Sequence, residues 1–585
     1  MDLQRTSMYL LLGLLPWSPA ACSDSSATGG SDPGGSGGTS TTGGDSSGGS
    51  AANPSTGGNT LGGAVTTSGG TSSGGATTSG GTSTGGTVSS SGGSNSGGST
   101  DPSTGGAVGP ASGGFPATGG NRETGGTGGV GRGGSDTGGS GAGGSGGTGG
   151  EPTTGGSGTG GGGGQANCSI NVTNQSLSTV IPTVGIVEWS TDLPGITEAS
   201  IEFGLDTNYG MIAPVDLTEA NYRTLLLGMK AGGHAYHFRV VAKAGDRICT
   251  GQDNTLPPTG EPPTSLPLLT FTPAQADGLD GSFLVFETLK QTFGTGVPDS
   301  PAYIVDGDGD FVWWYTNTGI IDAGRTRQSY DGKYMWIAAV NVLSQQDRVI
   351  RVKMDGTDEQ DFTSEFAELN HDFAVRSDET IAFIAYGSNN CDDIKERAPD
   401  GTVTTIINSG AAVGASTCHC NAIQYDRNDD TIVFSELETS SIVKVTRDTH
   451  EVVWVMSSKN SANATVTGVD WVNQHGMHII DEDHLLFFNN NTGPNSTAIE
   501  VQLSLNGGTG TAAPIWSYAS NLTVQILGDV QRLSNGNTLV TFSTAGEIRE
   551  VNPSGTVLQT IKAIGSGNLF GFSEKRRTLY GPPPR

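Results

Sequence analysis

Apolar residues in the C-terminal half of the chain fall into short runs separated by turn residues, a pattern typical of β-strands rather than helices. From residue 265 onwards one unit recurs, in which an acidic or Asn-containing turn is followed by a short, largely apolar run. The six runs begin at Phe283, Tyr334, Ile381, Ile432, Leu485 and Leu539. Successive units are about 50 residues apart, and a period of this length indicates a repeat architecture.

A second series of turns alternates with the first, so that each unit contains two hairpin turns. These turns lie at Asp308-Gly309, Asp355-Gly356, Asp400-Gly401, Asp448 to His450, Asn506 to Gly508 and Ser554-Gly555. Two hairpins require about four strands per unit, which is one blade of a β-propeller. The pattern therefore predicts an all-β chain in which residues 265–585 form a six-bladed β-propeller; seven blades is the nearest alternative.

Residues 166–260 contain shorter alternating runs, which predict a small antiparallel β-sandwich. The predicted strands are Val184–Trp189, Ala199–Phe203, Thr224–Leu227 and Tyr236–Ala242. These stretches resemble a fibronectin type III domain, and the resemblance implies a spacer or docking module. A proline-rich hinge from Pro257 to Pro263 ends the domain.

The first 22 residues have the layout of an export signal. Arg5 precedes an apolar run from Met8 to Trp17, which is too short to span a bilayer, and small residues lead up to Cys22. We expect cleavage before Cys22 and acylation of that cysteine, which would hold the chain on a membrane. Ordinary cleavage near Ala21 is the alternative. The expected location is that of an exported lipoprotein of the outer membrane, periplasm or cell surface.

Residues 23–165 consist almost wholly of Gly, Ser and Thr with scattered Pro. Such a composition cannot bury enough apolar surface to offset the entropy of ordering. We therefore predict a disordered tether without chemistry of its own. Its r.m.s. reach is roughly 60 to 70 Å for a flexible chain of this length.

Acidic residues outnumber basic ones by 57 to 29 over the whole chain. Nucleic-acid binding depends on basic side chains that neutralise phosphates, so this balance argues against a nucleic-acid partner. The simplest interpretation of the excess of acidic residues is a surface that carboxylates keep soluble. No cofactor is predicted.

The six cysteines are compatible with disulfides, because export leads to an oxidising compartment. Cys168 and Cys249 bracket the predicted sandwich and are its only cysteines, so we expect them to pair. Cys391 then has two possible partners, Cys418 and Cys420, and one thiol is left over.

Three successive repeat units carry a histidine near the start of the strand that precedes the first turn. His371 and His475 each lie ten residues before the apolar run of their unit, and His419 lies three residues further upstream. The second unit has Arg325 near this position. Because blades converge on a central channel, we expect the three imidazoles to surround a common axis.

The last 320 residues resemble the PAPS-independent arylsulfotransferases, periplasmic six-bladed propellers that move a sulfuryl group between phenols. The resemblance rests on Ile304 to Tyr315, His371-Asp372-Phe373, His419-Cys420-Asn421-Ala422-Ile423 and Gln474-His475. It implies that His475 accepts the sulfuryl group covalently. It also implies that His371, His419 and Asn421 bind sulfate oxygens, with a small aryl sulfate as donor and a phenol as acceptor.

One position departs from the family pattern. Where the family has Ser-x-Arg with a sulfate-binding guanidinium, this chain has Ser435-Glu436-Leu437. Loss of one such donor typically lowers a rate by about 10²–10³-fold. Arg325 and Arg327 are candidates to replace it. Two hypotheses therefore stay open, an arylsulfotransferase-like enzyme and a non-catalytic surface propeller that binds a ligand or partner.

Two sequence patterns imitate metal sites. In Cys418-His419-Cys420 the cysteines would face away from the histidine, because side chains alternate along a strand. Asp306, Asp308 and Asp310 resemble the start of a calcium loop, but the twelfth position is Asn317 rather than Glu. We interpret the first pattern as an ordinary strand and the second as a hairpin turn, and we predict no metal site.

Overall fold

The computed structural model describes residues 168–583, except for 275, 281–282, 291–299, 321–322, 340–345, 388, 460, 492 and 565–567. The predicted signal peptide, the predicted acylation site Cys22 and the predicted tether lie outside these described residues. Within the described part of the chain, no helix has the length and apolar character needed to cross a membrane.

The N-terminal part of the described chain consists of two antiparallel sheets. Its strands are β1 (Ile170–Leu177), β2 (Gly185–Thr191), β3 (Glu198–Gly204), β4 (Met211–Pro214), β5 (Thr224–Leu226), β6 (His237–Ala244), β7 (Arg247–Thr250) and β8 (Asn254–Thr255), with a short 3₁₀ helix at Ala220–Tyr222. One sheet has the order β1-β2-β5, and the other has the order β4-β3-β6-β7 with β8 beside β6. Alternate residues of β6 are buried, as expected of a strand with one face on a core.

A disulfide joins Cys168 to Cys249 with an S–S distance of 1.97 Å. It ties the segment before β1 to β7, at the edge of the larger sheet. Trp189, Phe203 and Phe238 fill the core between the two sheets.

The rest of the chain is built almost entirely from short strands. They are β9 (Leu268–Thr272), β10 (Phe283–Lys290), β11 (Ala302–Val305), β12 (Phe311–Tyr315), β13 (Ala323–Gln328), β14 (Tyr334–Ala339), β15 (Val349–Lys353), β16 (Gln360–Asp361), β17 (Leu369–Val375), β18 (Ile381–Ala385), β19 (Asp393–Arg397), β20 (Val403–Asn408), β21 (Cys420–Asp426), β22 (Thr431–Glu436), β23 (Ser441–Thr446), β24 (Val452–Ser457), β25 (Val466–Thr467), β26 (Gln474–Ile479), β27 (His484–Asn489), β28 (Thr497–Asn506), β29 (Thr509–Ala519), β30 (Asp529–Arg532), β31 (Thr538–Phe542), β32 (Glu547–Val551), β33 (Val557–Ile564) and β34 (Asn568–Arg576). One helix, α1 (Ser409–Val413), follows β20, and a 3₁₀ helix spans Ser543–Ala545.

Strand pairing divides this region into antiparallel units of four consecutive neighbours. Among the described residues these are β34-β10-β11-β12, β13-β14-β15-β16, β17-β18-β19-β20, β21-β22-β23-β24, β26-β27-β28-β29 and β30-β31-β32-β33. The short strand β25 bridges the fourth and fifth units, and β9 adds an outer strand to the sixth. The predicted all-β, propeller-type class is confirmed.

The first strands of the units, β34, β13, β17, β21, β26 and β30, contact one another in a closed cycle. The C-terminal strand β34 pairs with β10, so the two ends of the repeat region meet in one sheet. The second strands are buried over most of their length; all five residues of β18 are buried, for example. Sheets that are covered on both faces explain why these strands are apolar runs rather than alternating ones.

The sandwich packs directly against the repeat region. Ile181, Val184 and Leu227 belong to the same apolar cluster as residues of β11, β12, β14 and β15. The Thr183 hydroxyl donates to the carbonyl of Val312 at 2.8 Å, and the Tyr580 hydroxyl accepts from the Leu227 amide at 2.7 Å.

The acidic turn after β11 is a hairpin, as expected from the sequence. The Asp306 carboxylate accepts hydrogen bonds from the amides of Asp308 and Asp310. The ammonium of Lys230, from the sandwich, lies 3.1, 2.6 and 2.8 Å from carboxylate oxygens of Asp306, Asp308 and Asp310. A protein cation therefore occupies the position that the calcium-loop interpretation would give to a metal.

Candidate active site

Three adjacent first strands carry the residues that the sequence singles out. His371 lies in β17, His419 immediately precedes β21, and His475 lies in β26. In each strand the ladder to its neighbour loses register near the histidine or the residue that follows it. The shifts fall between Leu369 and Phe373, between Cys420 and Ala422, and between His475 and Met477. Such irregularities bend a strand and re-aim its side chains, as is common beside active sites.

His371 and His419 are in direct contact. Their Nε2 atoms are 3.2 Å apart, and their rings meet edge to face with centroids 4.7 Å apart. His371 adopts a left-handed backbone conformation with φ of 59°. A non-glycine residue in this region is strained, and such strain is concentrated at functional sites.

An asparagine amide holds the second ring nitrogen of two of the histidines. His371 Nδ1 lies 2.5 Å from Oδ1 of Asn370, and His475 Nδ1 lies 2.7 Å from Oδ1 of Asn490. Each pairing fixes the rotation of the ring and leaves its Nε2 edge for other contacts.

Asn421 connects the β21 strand to the histidine of β26. Its Nδ2 donates to the carbonyl of Gln474, the residue before His475, at 2.7 Å. Its Oδ1 is buried and has no hydrogen-bond partner among the described residues. A buried acceptor without a partner is costly, and such atoms are often found where a ligand binds.

Burial keeps all three imidazoles neutral near pH 7. It lowers the pKa of His419 to about 4. It also lowers the pKa of His475 to about 4, against the opposing effect of the Asn490 hydrogen bond. Burial, together with the nearby His419 and His475, lowers the pKa of His371 well below its ordinary value. A neutral imidazole has a free lone pair and can act as a nucleophile.

Two further side chains fix the backbone around these histidines. Gln474 Nε2 donates to the carbonyls of Glu436 and Ser441, and its Oε1 accepts from the indole of Trp471 at 2.8 Å. The Glu436 carboxylate accepts from the amide of His419 at 2.9 Å.

The cysteines around His419 do not form a metal site with it. Cys418 forms a disulfide with Cys391, at an S–S distance of 2.12 Å, and Cys420 is a buried free thiol. All three belong to one apolar cluster. The sulfur of Cys418 is therefore not a free thiolate ligand, and the His419 ring contacts His371 instead.

The match to a protein family covers the centre of this site. Residues 408–575 match the family model described as Arylsulfotransferase (ASST). This segment is arylsulfotransferase-like. It contains His419, Asn421 and His475, whereas Arg325 and His371 precede it in the sequence. No curated protein matches the chain.

The likeness of this chain to solved structures is distant. TolB from Acinetobacter baumannii has a TM-score of 0.37 at 10% identity, covering 60% of this chain and 81% of its own. A protein of unknown function from Bacteroides caccae has 0.34 at 12% identity, covering 51% and 100%. A putative 6-phosphogluconolactonase from Bacteroides uniformis has 0.33 at 10%, covering 51% and 100%. At these scores the likeness adds nothing to the account of function.

Arg325 does not present a free guanidinium to the histidine cluster. Its Nε and Nη2 bind the two carboxylate oxygens of Asp372 at 2.6 and 3.2 Å, and its Nη1 lies 3.3 Å from Asp529. Its guanidinium also stacks on the ring of Phe572, 4.2 Å from the centroid. The expectation that Arg325 replaces the missing sulfate-binding arginine is not supported, because its charge is already matched by buried carboxylates. Arg327 is held in the same way by Asp372 and Glu574.

Leu437 is hydrogen-bonded to the backbone of His419. Its amide donates to the carbonyl of His419 at 2.9 Å, and its side chain is partly exposed. The residue at the family's arginine position thus adjoins the site but offers no charge.

A cavity of about 170 Å³ lies among the first strands. It is lined by residues of all six first strands, including Arg327, Val375, Tyr425, Ile479, Gln531 and Glu574. His371, His419 and His475 are not among its lining residues.

Sequence reasoning did not identify Asn370, Asn490 or Asp372 as site residues. Asn370 and Asp372 flank His371 directly, and this polar run within an apolar strand was the available signal. Asn490 follows the apolar run of β27, fifteen residues after His475, and nothing in the sequence pairs the two.

Proposed function

We propose that this protein is an arylsulfotransferase-like enzyme that moves a sulfuryl group from an aryl sulfate to a phenol through His475. The observation that carries the proposal is the convergence of three neutral imidazoles from adjacent first strands. Two of them, with Asn421, lie in the segment that matches the family. Three clustered imidazoles are not needed to fill a hydrophobic core, because each buried polar side chain requires a hydrogen-bond partner.

In the proposed first step, the His475 Nε2 lone pair attacks the sulfur of the aryl sulfate. The N–S bond forms as the S–O bond to the aryl group breaks, and the phenolate leaves with that electron pair. In the second step the acceptor hydroxyl oxygen attacks the same sulfur, and the N–S bond breaks. The acceptor releases one proton to solvent and the departed phenolate takes one up, so the two steps balance.

His371, His419 and Asn421 are proposed to surround the sulfate oxygens. The second N–H of Asn421 Nδ2 is a suitable donor to the negative charge that spreads over those oxygens in the transition state. Such donors act most strongly where water is excluded, and the burial of His371, Asn421 and His475 supports this.

The test is sulfuryl transfer from 4-nitrophenyl sulfate to phenol, followed by nitrophenolate release. We expect turnover by the folded protein and its loss in His475→Gln. The matched control is His484→Gln, which changes a histidine paired with the exposed Asp481, and it should keep the full rate. Equal rates in both variants would contradict the proposal.

A second candidate function is ligand binding without transfer. Leu437 at the arginine position and the carboxylate pairing of Arg325 favour it, because both leave the site with less positive charge than the family pattern. Calorimetric binding of the aryl sulfate, without release of nitrophenolate or a covalent adduct, would select this function.

We also propose that the chain is exported and held on a membrane through Cys22, with residues 23–165 as a tether. The support is the charge, apolar run and small residues of the N-terminus. Labelled fatty acid should enter the wild-type protein and not Cys22→Ala. Equal labelling of the two would contradict the anchor.

A further inference from the structure

Building on the proposed function, we propose that Asn490 is a positioning residue that keeps the proton of neutral His475 on Nδ1 and thereby makes Nε2 the attacking nitrogen. A neutral imidazole carries one proton, and which nitrogen bears it depends on the partner of each nitrogen. The partner of His475 Nδ1 is the Asn490 side chain, at 2.7 Å.

The orientation of the Asn490 amide follows from its other contacts. Its Nδ2 lies 2.8 Å from the carbonyl of Leu527 and 3.0 Å from the carbonyl of Val524. A carbonyl only accepts, so the atom facing these two must be the NH₂ group. The atom facing His475 must then be the carbonyl oxygen Oδ1, which also only accepts. The proton between them therefore belongs to His475 Nδ1.

This arrangement is rigid, because every member is buried. Asn490 is fully buried and His475 is 4% exposed. The two carbonyls come from the segment before β30, so Asn490 joins the strand of His475 to the segment that leads into the next unit. A flip of the amide would place its oxygen against two carbonyl oxygens without a donor between them.

A similar pairing of asparagine and histidine occurs at His371. Asn370 Nδ2 lies 3.3 Å from a carboxylate oxygen of Asp392, and its Oδ1 faces His371 Nδ1. His371 Nε2 is then an acceptor, and it lies 3.2 Å from His419 Nε2. The lone pair of His371 is thus directed at His419.

The tautomer of His475 also determines where the proton lies on the ring after attack. When Nε2 of His475 bonds to sulfur and the aryl oxygen leaves with the S–O electron pair, the ring becomes an imidazolium that keeps its Nδ1 proton. Asn490 Oδ1 accepts a hydrogen bond from this cationic ring, so it supports the intermediate as well as the starting tautomer.

The first test is nitrogen NMR of the full chain labelled with ¹⁵N-histidine, with His475 assigned from the spectrum of His475→Gln. At pH 7 we expect His475 Nδ1 at a protonated shift and Nε2 at an unprotonated one. In Asn490→Ala we expect mixed tautomers, whereas Asn521→Ala, which removes an exposed asparagine, should leave the signals unchanged. A wild-type ring protonated on Nε2, or an unchanged tautomer in a folded Asn490→Ala variant, would overturn the proposal.

The second test is chemical rescue of transfer. Asn490→Ala should form the sulfuryl adduct about 10²–10⁴-fold more slowly than wild type, the range for loss of a correctly placed proton. Replacing His475 by Nδ1-methylhistidine in this variant forces the lone pair onto Nε2 and should recover most of the rate. No recovery in a folded protein would overturn the role of Asn490. Absence of any adduct in wild type, with the expected NMR tautomer, would overturn the proposed function and support the tautomer assignment.

Discussion

At the scale of single residues, the site depends on imidazoles that burial keeps neutral. A histidine in water is half protonated near pH 6.5 and loses its lone pair below that value. His475 has its pKa lowered to about 4 by burial, so its lone pair persists well into the acidic range.

The rate of sulfuryl uptake should therefore be flat from about pH 8 to about pH 5 and should fall as the pH drops through about 4. The sign follows because only the neutral ring is nucleophilic and the pKa of the folded state is depressed. The measurement is adduct formation against pH, with circular dichroism at each pH to verify folding. A fall centred near pH 6.5 would show that the ring is solvated.

Leu437→Arg should increase the rate of adduct formation by about 10-fold or more. A guanidinium beside His419 would donate two hydrogen bonds to the sulfate as its charge develops. Leu437→Met, which is similar in size and uncharged, is the control and should match the wild-type rate. A slower Leu437→Arg variant with an intact fold would mean that the site is not built around a sulfate.

The residue positions were predictable from the sequence to different degrees. The equal spacing of His371 and His475 from their apolar runs predicted that they share a blade position. The roles of Asn370 and Asn490 were not predictable, because each depends on carbonyls or carboxylates that are distant in the chain. The identity of the free thiol, Cys420, was also left open, since strand geometry rather than spacing decides which cysteine meets Cys391.

At the scale of elements, the register shifts in the first strands determine where the histidines lie. Gly476 lies within the register shift of β26, and its amide donates to the carbonyl of Gly528 at 3.1 Å. A Cβ at this position would lie 2.7 Å from that carbonyl oxygen, which is backbone and cannot easily move. Only glycine lets β26 approach the neighbouring blade so closely.

Gly476→Ala should lower the free energy of unfolding by about 1–3 kcal/mol, the usual effect of overpacking. It should also slow adduct formation, because His475 is the preceding residue. The measurement is urea unfolding followed by tryptophan fluorescence. Gly493→Ala is the control, since its added Cβ would meet nothing closer than 3.5 Å, and equal midpoints for the two variants would contradict this account.

The elements themselves were largely predictable. The strands predicted at Val184–Trp189 and Ala199–Phe203 correspond to β2 and β3 with ends that differ by one or two residues. Strand β1 was not predicted, because its sequence, INVTNQSL, is mostly polar. The register shifts were invisible, since they depend on contacts between blades and leave no periodic signal.

At the scale of the whole molecule, a buried ionic network joins the first strands of three units. Arg325 of β13 binds Asp372 of β17 and Asp529 of β30. Burial raises the pKa of Asp529 to about 6, and Arg325 opposes that rise. The repeat and its propeller class were readable from sequence, whereas this network and the closure through β34 arise only when distant units meet.

Arg325→Met should lower the free energy of unfolding by about 3–5 kcal/mol, because it leaves the buried Asp529 without its cation and leaves Asp372 with Arg327 alone. Lys353→Met, which removes an exposed pair with Asp358, is the control and should change it by about 0–1 kcal/mol. Urea unfolding provides the comparison. A small loss in Arg325→Met would show that the carboxylates are neutral or hydrated.

The central claim is that His475 carries the sulfuryl group, and intact mass measurement tests it most directly. The protein is incubated with an aryl sulfate without acceptor, and its mass is recorded before and after phenol is added. The account predicts one SO₃ adduct that maps to His475, is absent in His475→Gln and disappears on addition of phenol. No adduct on a correctly folded protein, or an adduct that persists in His475→Gln, would contradict it.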